Sequence, residues 1–230
     1  MTDSAGAPAS AGPGEHPDTK ERLLEATLRL FAEGGLQGTS MRAVTQAAGT
    51  SVSAANYHFG SKEAMLRAAL RLRAEPLNQL RIDALEEVVA GAPRPSVEAV
   101  VGAFLRPVFE VRAASAGQGE LERNFAARLY MEPEASVSQI RHEVFEPVNE
   151  CFRAALARAL PGVGSDTVAL GQRLSVAVLV HVVSNTSASG GDDLPQPPVD
   201  AFIAFVAAGI RALAEDPDAT ESAPAAGDAA

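Results

Sequence analysis

Residues 39–62 read TSMRAVTQAAGTSVSAANYHFGSK, and this stretch carries the clearest structural signal in the chain. Thr39 or Ser40 can cap a short helix, and Gly49 can end it. Ser51 can then cap a second short helix. Two short helices joined by a three- or four-residue turn that contains glycine form the helix-turn-helix pattern.

Small residues surround the predicted turn. Ala47 and Ala48 allow the two helices to approach closely, and Gly49 can take the positive φ that the turn needs. The second helix would direct its N-terminal end into the major groove of DNA, where short side chains keep it close to the base edges. Asn56 suits bidentate recognition of adenine. The stretch therefore predicts an element that reads DNA sequence.

Outside this stretch, apolar residues recur three and four positions apart along nearly the whole chain, which is typical of helices. One helix is expected to start at Asp18 or Thr19 and to stop at Gly34-Gly35. Six more should follow between Lys62 and Ala214. We predict an all-α fold of about nine helices, with a three-helix DNA-binding head on a larger helical body.

Three prolines fall inside the predicted helices of the body. Pro76 and Pro147 are expected to bend their helices, and Pro107 is expected to interrupt the helix that starts near Ser96, because proline lacks the N–H that a helix interior uses. The loops between helices are short, so the head and the body should share the helix that begins at Lys62.

Composition excludes several other classes of protein. The chain has 230 residues, of which 47% are hydrophobic and 21% charged, a balance typical of globular proteins. A single cysteine, Cys151, forms neither an internal disulfide nor a cysteine-based zinc site. The four histidines are scattered, with no pair at metal-binding helical spacing and no phosphate-binding loop. We therefore predict no catalytic residues, no metal and no cofactor.

Charge is distributed unevenly along the chain. The formal net charge is −10, which taken alone disfavours nucleic acid as a partner. Residues 18–73, however, hold eight basic and five acidic side chains and are mildly basic. The acidic excess therefore belongs mostly to the body, and the head keeps the charge that suits phosphate contacts.

The first four predicted helices resemble the DNA-binding domain of the TetR family of bacterial transcription regulators over residues 19–66. The run YHFGSKE at residues 57–63 is similar to that family's signature. The resemblance implies that Tyr57 and His58 contact phosphates and that Lys62 meets the DNA backbone. The last role also makes physical sense, because free N–H groups at a helix N-terminus favour an anion.

Two positions depart from the more common family pattern, which has an aromatic residue at position 56 and valine at position 50. Here they are Asn56 and Thr50. The resulting variant, NYHFGSK, resembles a subgroup that includes the fatty-acid-responsive PsrA-type regulators. The complete set of residues that we predict to contact DNA is Thr39, Ser40, Arg42, Thr50, Ser51, Val52, Ser53, Ala54, Asn56, Tyr57, His58 and Lys62.

A regulator of this kind is expected to act as a homodimer on double-stranded DNA, because one head makes too few contacts for useful specificity. Two heads about 34–36 Å apart would read a palindromic operator. The most apolar late helices, residues 166–184 and 199–214, are predicted to form the dimer interface as a four-helix bundle. The activity most consistent with this arrangement is repression that a small molecule relieves, although the sequence leaves activation open.

The effector is expected to be a small apolar molecule with one polar end, because the body offers mostly hydrocarbon side chains. A fatty acid or acyl thioester fits this description, and a multidrug or metabolite effector fits it almost as well. The residues predicted to line its pocket are Phe104, Phe109, Phe125, Arg128, Leu129, Asn149, Phe152 and His181.

The predicted organisation has four parts. Residues 1–17 and 216–230 are expected to be disordered tails, residues 18–66 the DNA-binding domain and residues 67–215 the effector-binding and dimerisation domain. We predict a cytoplasmic protein without a membrane partner, because the N-terminus lacks a signal pattern and the longest charge-free apolar span is polar in part. Two alternatives are a helical small-molecule-binding protein with a degenerate head, and a helical enzyme.

Overall fold

The computed structural model describes residues 18–114, 119–187, 194–195 and 197–215. The helices are α1 (Thr19–Gly38), α2 (Met41–Ala47), α3 (Val52–Phe59), α4 (Lys62–Gly91), α5 (Val97–Ala114), α6 (Gly119–Met131), α7 (Ala135–Ala159), α8 (Ser165–Asn185) and α9 (Val199–Glu215). The prediction of an all-α fold with nine helices is confirmed over these residues. Both predicted tails lie outside them.

Two features of the backbone were not predicted. Two-residue strands, β1 (Thr186–Ser187) and β2 (Leu194–Pro195), pair in parallel between α8 and α9. The first helix continues to Gly38 instead of stopping at Gly34-Gly35, although it is broken at Gly35, where φ is 63° and ψ is −162°. Glycine takes this conformation without the steric cost that a Cβ would bring.

The three helix prolines lie inside helices that continue through them. The predicted interruption at Pro107 is therefore wrong. Proline removes one hydrogen bond from the helix interior, but residues on both sides of Pro107, including Phe104 and Phe109, are buried against other helices. This packing holds α5 in register across the proline.

Three groups of buried apolar side chains organise the molecule. The head cluster comprises Leu23, Ala26, Val44, Ala48, Ala55 and Met65. The joining cluster comprises Phe31, Leu36, Leu66, Leu70, Ala74, Leu129, Val137, Ile140 and Val144. The body cluster is the largest and is built from α4, α5, α7, α8 and α9, with Phe104, Phe152 and Ile210 among its members.

The fourth helix passes through all three clusters. Met65 is fully buried in the head cluster, Leu66 in the joining cluster and Leu85 in the body cluster. At 30 residues, α4 is about 45 Å long. A shift of α4 relative to the body would therefore move the head. The head and the body share this helix, as the short loops predicted.

Candidate nucleic-acid interface

Serine side chains cap the helices that flank the predicted turn. Ser40 Oγ accepts a hydrogen bond from the N–H of Ala43 at 3.1 Å, and Ser51 Oγ accepts one from the N–H of Ala54 at 3.1 Å. Gly49 has φ of 63°, the left-handed conformation that a side chain disfavours. The caps and the glycine place α2 and α3 as a helix-turn-helix unit.

Burial explains why α3 presents one face to solvent. Ala55 is fully buried in the head cluster, and Ala48, which follows α2, is 8% exposed. Small side chains here let the backbones of α2 and α3 approach, as predicted for Ala48, whereas Ala47 is exposed. The opposite face of α3 points away from the head cluster, toward solvent.

Most of the predicted DNA-contacting residues lie on that free face or next to it. Tyr57 is 86% exposed and its ring centroid lies 5.4 Å from that of His58. Such a tyrosine offers both an apolar ring and a hydroxyl to a partner. The predicted residues that are exposed are Ser40, Arg42, Ser51, Val52, Ser53, Asn56, Tyr57 and His58.

The N-terminus of α4 lies immediately after this face. Ser61 caps it by accepting a hydrogen bond from the N–H of Ala64 at 3.1 Å, and Lys62 is half-buried at the first helical position. Gly60, with φ of 75°, makes the turn between α3 and α4. The positive end of a 30-residue helix and a lysine therefore coincide, an arrangement that favours a phosphate.

Thr39 is a correction to the predicted set. Its side chain is fully buried, and its hydroxyl donates a hydrogen bond to the carbonyl of Gly35 at 2.8 Å. The hydroxyl thus satisfies a carbonyl at the break in α1, and the side chain is not available to DNA. Thr50 and Ala54 are half-buried, so they lie at the edge of the surface proposed for DNA and contribute only part of their side chains to it.

Arg22 of α1 belongs to this region but was not singled out from the sequence. Its Nη2 donates to Thr19 Oγ1 at 3.3 Å, and its Nη1 would be 3.9 Å from a Cβ placed on Gly49. Its Nε is buried without a hydrogen-bond partner. Only the packing of α1 against the turn brings this arginine to the interface, and charge counting along the sequence carries no such signal.

The residues predicted to line one effector pocket do not come together. Phe104 stacks on Phe152 with ring centroids 4.2 Å apart in the body cluster, whereas Phe125 packs on Phe31 in the joining cluster. Leu129 is buried in the joining cluster and Phe109 packs on Phe202. Arg128 and His181 are exposed, and Asn149 is half-buried. The structure therefore brings Phe104, Phe109 and Phe152 together in the body cluster and places Phe125 and Leu129 at the joining cluster.

A cleft is present elsewhere, between α4 and α7. Its volume is about 320 Å³, and its lining includes Asn78, Ile82, Val144 and Val148. Glu143 at its edge accepts a hydrogen bond from Arg67 Nε at 2.7 Å. That bond, above all, holds the pKa of the Glu143 carboxyl below its usual range. The cleft thus adjoins an ion pair between the first turns of α4 and the body.

The last two helices expose large apolar side chains on the side that faces away from the body cluster. Leu174 of α8 is 47% exposed and Phe205 of α9 is 68% exposed. Among the described residues, α8 is also long and apolar enough to cross a membrane, a test by length and composition that the core helix of a soluble protein passes as well. Both side chains are therefore accessible to a partner surface.

Removing the cap of α3 tests how this helix is held. Ser51→Ala should destabilise the helix N-terminus by about 1 kcal/mol, because the Ala54 N–H loses its acceptor. Amide hydrogen exchange within α3 should then be roughly fivefold faster. Ser53→Ala, at an exposed serine in the same helix, is the matched control and should leave exchange nearly unchanged. Equal acceleration in both variants would show that the Ser51 cap is not what holds α3.

Both halves of the chain match known protein families. Residues 23–69 match the sequence model described as bacterial regulatory proteins, tetR family. Residues 102–209 match the one described as tetracyclin repressor-like, C-terminal domain. The two matches together cover the helix-turn-helix unit and most of the body.

Relatives and solved structures agree with these matches. The HTH-type transcriptional regulator BetI of Rhizobium meliloti (strain 1021) is 34% identical over 94 residues, which cover 40% of this chain and 45% of BetI. The chain thus spans less than half the length of this curated relative. Salmonella enterica GusR has a TM-score of 0.54 at 21% identity, with 86% of this chain and 96% of GusR covered.

Another similar structure is the transcriptional regulator FadR from Bacillus subtilis, solved in complex with stearoyl-CoA. Its TM-score is 0.59 at 12% identity, with 84% of this chain and 96% of FadR covered. At such identities the likeness concerns the fold. None of these relatives confirms the resemblance to PsrA-type regulators. The chain belongs to the TetR family of bacterial regulatory proteins, which is a family of regulators and not of enzymes.

Proposed function

We propose that the protein is a homodimeric, sequence-specific DNA-binding repressor that a small molecule releases from its operator. The observation that carries the proposal is the exposed face of α3, with Tyr57 at 86% exposure beside the capped N-terminus of α4. A degenerate head would have no reason to keep both serine caps and a lysine at that N-terminus. Family membership and the name of the BetI relative support the same function.

The proposed division of labour follows from the geometry. α3 enters the major groove, where the exposed side chain of Asn56 reads a base edge. Tyr57, His58 and Lys62 bind phosphates and fix the register of the head. Arg22, beside the turn, adds a phosphate contact through the end of its guanidinium, where Nη1 lies next to Gly49.

Dimerisation is proposed through the exposed faces of α8 and α9. A second copy that packs Leu174 and Phe205 against their equivalents would bury the apolar surface described above. Such a dimer would set two α3 helices one turn of DNA apart, about 34–36 Å. A protein that regulates bacterial DNA in this way acts in the cytoplasm.

Release by a ligand requires only that the ligand bind one spacing of the heads better than the other. A coupling of about 1–3 kcal/mol gives roughly 5- to 150-fold weaker DNA binding. The FadR structure is a complex with stearoyl-CoA, a ligand with an apolar acyl chain and a polar end, in a protein of similar fold, and it supports an effector of that kind here. The continuity of α4 through all three clusters supplies the path from body to head.

The function is tested by the role of Lys62. Lys62→Ala should weaken binding to all DNA sequences about equally and reduce the slope of log K against log salt by about 1, because one phosphate contact is lost. Arg158→Ala, which removes one exposed positive charge from α7, is the control and should leave the slope unchanged. If the slope for Lys62→Ala equals that of the unmodified protein, Lys62 does not contact a phosphate. If the protein selects no DNA from a pool of random sequences, the proposed function itself is contradicted.

A further inference from the structure

Two large apolar side chains of the head are exposed to solvent, and both belong to α3. Within residues 18–66, Val52 is 43% exposed and Tyr57 is 86% exposed, whereas the other large apolar side chains are buried or half-buried. Tyr57 has a hydroxyl that can bind a polar group. Val52 offers a partner only its two methyl groups, so the chemistry of whatever it contacts is narrowly defined.

Val52 does not take part in the packed interior of the head. It belongs neither to the buried head cluster nor to the half-buried side chains that pack against that cluster, which are Leu30, Met41 and Phe59. The residue of α3 that enters the cluster is Ala55, which is fully buried. The methyl groups of Val52 are therefore not needed to hold α3 on the head.

Helix stability does not favour a valine at this position either. Val52 is the first residue of α3 and directly follows the Ser51 cap. An acidic side chain in the first turn would stabilise the helix through its dipole, and a straight-chain residue would keep more rotamer freedom than valine. The first turn of α3 has no acidic residue, so phosphates near this end of the helix would meet no repulsion.

Val52 lies one turn before Asn56 on the same side of α3, and both side chains are exposed. Side chains four positions apart on a helix have Cβ atoms about 5–6 Å from each other. Base pairs follow one another about every 3.4 Å along the duplex. When Asn56 reaches the edge of an adenine, Val52 therefore faces a base within about two base pairs of it.

The base edges in the major groove offer one apolar group to such a side chain. They carry hydrogen-bond donors and acceptors, except for the C5-methyl group of thymine. Valine placed against a donor or an acceptor would remove its water without replacing the hydrogen bond, which is unfavourable. Contact with the thymine methyl group instead removes two apolar surfaces from water, which is favourable.

We propose that Val52 determines specificity by packing against the C5-methyl group of a thymine in each half of the operator, within about two base pairs of the adenine that Asn56 recognises. This assignment rests on the proposed function, in which α3 lies in the major groove. It adds a second base to the half-site, and that base is recognised by apolar contact and not by a hydrogen bond.

The test removes the methyl group from the DNA while keeping the base pair. An operator for the full chain is first selected from random DNA, and each of its thymines is then replaced singly by uracil, which lacks the methyl group. We expect one thymine in each half-site at which uracil weakens binding about fourfold, the effect of one methyl group that is no longer buried. Uracil in both half-sites should weaken binding on the order of 15-fold.

Removing the valine should abolish this difference. Val52→Ala is expected to bind the thymine and uracil operators with affinities within about twofold of each other, because the methyl group has lost its contact. Val88→Ala, which shortens a half-buried valine in the body, is the matched control and should keep the fourfold difference. Circular dichroism checks the fold, and should Val52→Ala not fold, Val52→Ser must show the same loss of discrimination.

A second pair of bases separates the methyl group from the rest of thymine. The C5-methyl group also occurs on 5-methylcytosine, so the thymine is replaced by cytosine and by 5-methylcytosine, each paired with guanine. We expect the unmodified protein to bind the methylated base about fourfold more tightly than cytosine, and Val52→Ala to bind the two about equally. Equal binding of the two by the unmodified protein contradicts a contact with the methyl group.

The remaining outcomes also decide the question. The assignment is wrong if uracil weakens binding at no position, or if the loss at the thymine persists in Val52→Ala. A Val52→Ala variant that binds both operators equally weakly, with the fourfold difference intact, places Val52 against the sugar–phosphate backbone. An operator that is selected but shows no discrimination between thymine and uracil contradicts only this assignment, whereas failure to select any operator contradicts the proposed function.

Discussion

The double variant Leu174→Glu/Phe205→Glu is expected to be a folded monomer that no longer binds its operator. Leu174 is 47% exposed and Phe205 68% exposed in the single chain, so charges there should not disturb the fold of one protomer. In the proposed dimer the same positions are buried against a second copy. Each carboxylate would lose its hydration without gaining a partner, at a cost of several kcal/mol per ion.

The consequence for assembly is large because the dimer would contain four such carboxylates. The dimer dissociation constant should rise on the order of a thousandfold or more. Sedimentation velocity should then show monomers at concentrations where the unmodified protein is dimeric. Binding to the operator should be lost together with the dimer, since one head supplies half of the contacts.

Leu72→Glu/Leu80→Glu is the matched control. Leu72 is 52% exposed and Leu80 is 49% exposed, and both lie on α4. This variant changes the net charge by the same amount and replaces leucines of similar exposure, so it accounts for repulsion between the added charges and DNA. Dimers in the α8–α9 variant, or monomers in the control, would place the interface elsewhere.

Asn56→Ala is expected to change which base is preferred at one position of each half-site. The Asn56 side chain is exposed on α3, beside Tyr57, and a bidentate contact to adenine is worth about 1–3 kcal/mol of discrimination. Loss of that contact should reduce the preference for adenine by roughly 5- to 150-fold. This preference is measured by selection from random DNA, followed by competition between operators that differ at single positions.

Gln46→Ala provides the comparison for this prediction. Gln46 is an exposed amide on α2, so its loss should leave base preference unchanged. A uniform loss of affinity across all sequences in Asn56→Ala would show that Asn56 contacts the backbone. An unchanged preference would remove Asn56 from the interface.

Local chemistry explains why so much of the head was predictable. Ser40 and Ser51 cap their helices through hydrogen bonds to residues three positions away, and Gly49 takes a positive φ. Each of these features depends on a few neighbouring residues, which the sequence displays directly. Thr39 shows the limit of such reasoning, because its role is set by its burial and by its hydrogen bond to the carbonyl of Gly35.

The body was less predictable at the level of individual side chains. Its helices follow from apolar spacing, but Pro107 does not break α5, since packing from several helices outweighs one lost hydrogen bond. The phenylalanines assigned to one pocket divide between two clusters. Apolar periodicity indicates that a side chain is buried, but it does not indicate which residue of another helix that side chain contacts.

By itself, the sequence determined the helices, the caps and turn of the helix-turn-helix unit, and the surface that we propose for DNA, because these depend on contacts within a few residues. The tertiary structure decided which distant residues meet. It brings Arg22 to the turn, ties Arg67 to Glu143, and buries Arg81 over the ring of Phe104. An arginine in the sequence is by default an exposed charge, and only the packing of α4 against α5 makes Arg81 a buried one that donates to the carbonyl of Phe104.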